Sequence, residues 1–319
     1  MDNNLATLFS RIEILRQKNP TDAQKVAEVV LRQAEGSNRV QALFAWGRVQ
    51  RALGRLDDAE TAYYVAAELV RTSGIRIGDL LDWLGQMALL RLDQQRFDGA
   101  RRYAERAVGI CRKIAEPRRL SLALTGLALV CMGEGKPAEA TAYSREALEG
   151  LSPSDRCYRP AVSALIMALC ESQDAQVEEI FYWLDKARAA DPPGSFNESK
   201  FRWLEGLAHR RAGHYHTAEA CLRSAFASFS ALGVGTDAAL CCFDLALVYL
   251  DQGCAEKANR LAGELFPVFH ALRFNREEAS ALLVFRRAAE HNALSAEVVH
   301  GIKAKLGRIP TTAILHLEG

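Results

Sequence analysis

One pair of residue types recurs along this 319-residue chain at a nearly fixed interval, and no other feature limits its fold as strongly. A turn residue is followed five positions later by a small one at Gly54/Ala59, Gln95/Ala100, Gly135/Ala140, Gly213/Ala218 and Gly253/Ala258, with Ala175/Ile180 as an altered pair between the third and the last two. Successive turn positions lie 41, 40, 40, 38 and 40 residues apart. A second small residue keeps the frame at Ala66, Ala107, Ala147, Ala187 and Ala225. Self-similarity at such a period marks supersecondary units that cannot bury their apolar faces alone and have to stack on their neighbours.

The stretch Ala42 to Ala67, ALFAWGRVQRALGRLDDAETAYYVAA, shows what one unit is. It reads as two amphipathic helices meeting at Gly54, with Gly47 small inside the first helix and Ala59 small inside the second. Tyr63 and Ala66 continue the apolar stripe of the second helix at helical spacing. This stretch resembles a tetratricopeptide repeat. The period exceeds the about 34 residues of that repeat, which raises a HEAT or armadillo array as the alternative. Small residues in both helices, and an aromatic two residues after the turn at Phe97 and Tyr215, favour the tetratricopeptide pattern.

The resemblance implies an all-α, right-handed superhelical solenoid of seven to eight antiparallel helical hairpins. Residues 1–319 read as one such solenoid, with 1–36 as an N-terminal capping hairpin, 40–271 as six repeats and 276–319 as a C-terminal capping hairpin and tail. In the first hairpin one helix runs from about Asn4 to Gln17, and Thr21 or Asp22 opens the second. The fourth repeat departs most: Ala175 and Ile180 replace the usual pair, and Asp191-Pro192-Pro193-Gly194 ends its second helix. Irregular stacking is expected there.

Charge and composition exclude several classes of function. Forty basic and 39 acidic residues leave a formal net charge of +1, so no global field draws nucleic acid or a membrane surface. The apolar run Leu120 to Met132 is too short to span a bilayer, and Arg11, Glu13 and Arg16 interrupt any signal-like segment. A soluble, cytoplasmic protein is expected. Eight cysteines are scattered through apolar helical segments and read as buried, reduced thiols. His209, His214 and His216 cluster at a turn without a cysteine or acid at zinc-ligand spacing. Gly133-Glu134-Gly135-Lys136 lacks the strand and spacing of a phosphate loop. No metal, cofactor or small-molecule substrate is therefore expected, and no catalysis.

In a tetratricopeptide array the first helix of each unit lines the concave face. The register places Phe44, Arg48, Arg51, Asp82, Thr125, Lys200, Trp203, Arg210, Arg211, Phe243 and Asp251 there, and aromatic and arginine residues suit the hot spots of an interface. Chaperone-binding members use a lysine and asparagine clamp, whereas Phe44 and Arg48 stand where its first pair would fall. The expected function is a non-enzymatic protein-interaction scaffold or adaptor whose groove takes a segment of a protein or peptide partner. The alternative is a regulatory sensor module, whose groove binds a signalling peptide or small ligand and controls a transcription factor or protease. A nucleic-acid binder using Arg48, Arg51, Arg210 and Arg211 ranks below both, and self-association would run through the terminal hairpins.

Overall fold

The computed structural model describes residues 3–72, 74, 76–155, 157–190, 197–232, 235–271 and 276–305. The break expected at Asp191 to Gly194 and the tail beyond residue 305 lie outside the described residues. The described chain folds into α1 (Asn3–Lys18), α2 (Pro20–Gln33), α3 (Gly36–Ala52), α4 (Leu56–Thr72), α5 (Ile77–Asp93), α6 (Phe97–Ile114), α7 (Pro117–Gly133) and α8 (Pro137–Leu148). It continues with α9 (Tyr158–Glu171), α10 (Val177–Ala189), α11 (Asn197–Arg211), α12 (Tyr215–Ala231), α13 (Gly235–Asp251), α14 (Ala255–Ala271), α15 (Arg276–Glu290) and α16 (Ala296–Lys305). There is no strand among the described residues.

The turn frame has a single backbone cause. Gly54, Gln95, Gly135, Gly213 and Gly253 all take left-handed conformations, with φ of 73°, 57°, 72°, 74° and 72°. At each, the N–H of the following residue reaches back to a carbonyl five positions earlier: Arg55 to Gln50 at 2.9 Å, and Arg96 to Arg91, Lys136 to Cys131, His214 to His209 and Cys254 to Tyr249 at 2.8 Å each. The N–H of the turn residue itself bonds to the carbonyl three positions earlier, as in Gly54 to Arg51 at 2.9 Å. These are Schellman closures, which satisfy the last carbonyls of one helix and aim the chain into the next. Asn292, with φ of 51°, repeats the closure between α15 and α16 through an Ala293 to Ala288 bond of 2.8 Å. The fourth repeat lacks it, because α9 ends in ordinary bonds from Ser172 to Ala168 and Leu169. Its two helices, α9 and α10, accordingly pack on each other less extensively than the members of the other repeat hairpins.

The small positions decide how closely the helices approach. Ala59, Ala100, Ala140, Ala218 and Ala258 are each 0 % exposed, and Ile180 occupies the same fully buried slot in the fourth repeat. A second small set lies seven residues before each turn, at Gly47, Ala88, Ala128, Ala168, Gly206 and Ala246. A Cβ on Gly47 would sit 2.2 Å from the ring of Tyr63, and one on Gly206 would sit 2.6 Å from Leu222. Nothing larger than hydrogen fits there.

Successive odd-numbered helices from α1 to α13 pack on one another as well as on their hairpin partners, whereas among the described residues the even-numbered ones are not in comparable contact. The odd layer is therefore the tighter, concave side of an α-solenoid. One continuous apolar core runs from Ala88 to Ile302, with smaller clusters under the first three hairpins. Charged groups stitch the N-terminal hairpin to it. Glu13 pairs with Arg16 at 2.9 Å and with Arg48 at 2.8 Å, all three side chains at most 10 % exposed. Burial raises the Glu13 pKa, but Arg48 and Arg16 more than offset it and hold the carboxyl at about 2. The cap of α2 differs from expectation: Asn19, not Thr21, accepts the N–H of Asp22 and Pro20 follows in the first helical turn. Proline suits that position because its missing N–H would have had no partner.

Two glycines in equivalent helices should respond in opposite ways. Gly47→Ala should lower stability by about 2–3 kcal/mol, since its methyl overlaps a fully buried ring. Gly126→Ala, where a Cβ meets nothing within 4 Å, should raise it by about 0.5–1 kcal/mol through helix propensity. Thermal and urea melts of the two variants check both signs.

Candidate functional site

The concave layer contains a cleft of about 370 Å³ between α5 and α7, floored by α6 and closed at one end by the segment that enters α9. Its origin is a local exception to the repeat frame. Ten residues before each turn the chain carries Phe44, Gly85, Thr125, Leu165, Trp203 and Phe243. Four are bulky and fill their layer. Gly85 and Thr125 are small, and the volume they vacate is the cleft. Gly126 widens it, and Leu81, Leu89, Leu122 and Leu129 give it apolar walls.

Its rim is charged. Arg118 Nε donates to Asp155 Oδ2 at 2.8 Å, and the Cys157 backbone N–H donates to Asp155 Oδ1 at 3.1 Å. The Cys157 N–H and Arg118 together hold the Asp155 carboxyl below its ordinary range. Arg119 Nε lies 2.9 Å from Glu116 Oε2, while its Nη1 is 3.9 Å from Asp82 Oδ1. Asp82 is the weakly compensated member: burial pushes its carboxyl from the usual 3.8 up to about 6, and Arg119 and Arg48 reverse only part of that. Asp82, a quarter exposed and already bonded from Gln41, is a partly desolvated carboxyl at the edge of a leucine-walled cleft, and it can accept a further hydrogen bond. The thiol of Cys111, also on the cleft wall, is pushed by burial up to about 11 and offers no thiolate at neutral pH.

Of the residues expected on the concave face, the structure brings only Asp82 and Thr125 into this cleft. Thr125 is buried, its Oγ1 donating to the Ser121 carbonyl at 2.8 Å. The others require correction. Phe44 and Phe243 are 0 % exposed and belong to the core, Phe243 packed edge-on against Phe285 with ring centroids 5.1 Å apart. Trp203 is 5 % exposed and its Nε1 donates to Asp244 Oδ2 at 2.9 Å. Arg48 is held by Glu13, Arg51 by Asp93 at 2.8 Å, and Arg210 by Asp251 at 2.6 Å. Arg211 donates to the carbonyls of Ser172 and Gln173 at 3.1 and 2.8 Å. Lys200 is 6 % exposed, and burial lowers its ammonium to about 7. Arg48, Arg51 and Lys200 thus lie at low exposure between helices, whereas Arg210 and Asp251, partly exposed on α11 and α13, pair with each other on the concave layer. Sequence reasoning missed Gly85, Arg118, Arg119 and Asp155; the small residue ten before the turn was the available signal for the first, while the others depend on where the α8 to α9 connection runs.

A tetratricopeptide repeat family profile matches residues 79–152, which span α5 to α8 and hold most of the cleft. Residues 79–152 are tetratricopeptide repeats, and the rest of the described chain continues the same α-solenoid. Among solved structures, this solenoid is similar to a Rap protein complexed with Competence and Sporulation Factor, at 14 % identity and a TM-score of 0.63 over 94 % of this chain and 86 % of that one. It is also similar to BtubC from P. vanneervenii, at 18 % identity and a TM-score of 0.51 over 69 % of this chain and 92 % of that one. No curated protein matches the sequence. At these identities the likeness concerns the fold alone. Among the described residues no helix is long and apolar enough to cross a membrane.

The Asp82 environment makes a signed expectation. Its pKa is raised on folding, so the stability linked to its proton is complete below about pH 4 and lost as pH rises through about 6. Asp82→Asn, which removes the buried charge, should therefore stabilise the solenoid at pH 7.5 by about 1–3 kcal/mol and have no effect near pH 4. Urea titrations of parent and variant across that range test it.

Proposed function

We propose that the protein is a non-enzymatic interaction scaffold whose α5/α7 cleft takes an apolar side chain from an extended segment of a protein or peptide partner. The observation that carries this reading is the pairing of Gly85 and Thr125 at a position that is bulky in every other repeat. Two adjacent small residues open a side-chain-sized, leucine-walled space, and the partner's backbone or an amine beside it supplies a donor for Asp82. The Rap protein complexed with Competence and Sporulation Factor supports the reading, because it is a solenoid of similar fold in complex with another factor.

One observation favours a regulatory sensor over a passive adaptor. The cleft is lined by α5, α6, α7 and the entry to α9, which belong to three successive hairpins. An occupant bridges all three and alters their stacking, so occupancy is transmitted along the solenoid to whatever effector it holds.

Panning a random peptide display library against the full chain tests the proposal. Enriched peptides should carry a leucine, phenylalanine or similar anchor, and Gly126→Leu, which fills the cleft, should weaken them at least tenfold while the melting temperature stays at or above the parent's. Peptides that bind the Gly126→Leu variant as tightly as the parent would place the site elsewhere and sink this reading.

A further inference from the structure

A second part of the concave layer is already occupied by the chain itself. α16 follows α15 and packs on α13 as well as on α15. A second helix in an ordinary repeat packs on its own first helix and on the next unit, not on the first helix of the unit before. Val299 and Ile302, three apart and so on one face of α16, are 0 % and 2 % exposed within the main core. On the next position Lys303 Nζ donates to Oδ1 of Asp244, whose other oxygen accepts the Trp203 indole. Asp244 is fully buried in α13. Burial pushes the Lys303 ammonium down, but Asp244, and Glu171 at the end of α9, more than offset this and its pKa is raised. The helix thus lies on α13, with its lysine on the carboxylate that also holds the Trp203 indole of α11 and within the field of Glu171 at the end of α9.

We propose that the inner face of α13, edged by Trp203 of α11 and Glu171 of α9, is a helix-accepting surface which α16 fills in cis, and that a partner presenting an amphipathic helix of the same chemistry displaces α16 to bind there. Three features of α16 define that partner: two aliphatic residues three apart, a lysine immediately after the second, and small or polar residues on the outer face. The acidic pair Asp244 and Glu171 selects the cation, and the buried indole keeps Asp244 oriented toward it. Among the described residues α16 packs chiefly on α13 and α15, and less extensively than the helices in the middle of the array pack on their neighbours, so it is held less firmly than they are. Displacement therefore leaves the solenoid standing. This face is separate from the α5/α7 cleft, and its occupancy does not depend on the cleft's ligand.

The test uses the full chain and a fluorescein-labelled peptide of residues 294–305. A release variant, Val299→Asp with Ile302→Asp, should keep its helicity and bind the peptide in trans at least tenfold more tightly than the parent, whose own α16 competes. Adding Lys303→Ala to the peptide should weaken that binding at least tenfold. A folded release variant that fails to bind the peptide overturns the proposal, as does a parent chain that is a dimer with α16 exchanged between copies. Should the release variant not fold, hydrogen exchange in Lys303→Ala decides. Exchange over residues 296–305 rising at least tenfold, with α13 still protected, supports a displaceable helix; exchange rising equally in both overturns it.

Discussion

The fold depends on the close approach of two helices at one small-residue contact, repeated along the chain. Ala59 and its equivalents are fully buried on the second helix, Gly47 and Gly206 on the first admit Tyr63 and Leu222 four residues further along that second helix, and the left-handed turn between the helices fixes the angle at which they meet. Close approach brings the flanking apolar side chains into dense packing, where many weak dispersion contacts add up. Each hairpin leaves part of its apolar surface uncovered. That part is covered by the next hairpin, so the core propagates as one body from Ala88 to Ile302. Stability in such an array is a sum of units and interfaces, and the fourth unit shows what a change to one term does. Ile180 still fills the buried slot, yet without the left-handed closure the α9 and α10 pair packs loosely, and the neighbours on either side hold it in line.

Charged residues perform a different task. Glu13, paired with Arg16 of its own helix, reaches Arg48 of α3, Arg51 of α3 reaches Asp93 of α5, and Asp244 of α13 meets Lys303 of α16, so each links two helices at low exposure. Buried pairs of this kind add little net stability over an apolar contact, because desolvation offsets most of the attraction. Their effect is on register: an arginine that meets its carboxylate only when two helices stack in one phase disfavours every other phase. The more exposed pairs between even-numbered helices, Arg112 with Glu146 at 2.7 Å and Arg145 with Glu179 at 2.6 Å, contribute less for the same reason that surface pairs generally do.

Much of the fold was legible in the amino-acid sequence because the signal is positional. Gly54 or Ala59 alone says nothing; six pairs at one interval specify both the turn and the contact. The site was less legible, and Trp203 and Phe243 show why. Both sit at the concave position of the frame, as the register requires, and are nevertheless buried. That position is buried wherever it is bulky, Phe44 and Leu165 at 0 % exposure included, because it packs between neighbouring helices: Phe243 meets Phe285 of α15, and the Trp203 indole meets Asp244 of α13. Arg48 and Arg51 failed as surface candidates because their partners, Glu13 and Asp93, lie 35 and 42 residues away on the neighbouring odd-numbered helix; the Arg51 pair recurs as Arg210 with Asp251, 41 residues apart at the same frame positions, a period that links side chains only once the helices are stacked. Gly85 was visible throughout as a small residue in a bulky column, but its meaning needs the neighbouring Thr125 to be small in the same layer.

The two concave regions thus arise from opposite departures from one repeat. At α5 and α7 the frame position loses its bulk, and the vacancy is a cleft with apolar walls and a partly desolvated Asp82. At α11 and α13 the position keeps its bulk, so the surface is an apolar ridge with a buried acid, and a helix from the same chain covers it. A vacancy suits a side chain, whereas a ridge suits a helix face. Positions that obey the frame hold the solenoid together and are common to all its repeats. Recognition is confined to the few that break it, because only there does the stacked core leave a volume or an apolar surface that its own neighbours do not consume.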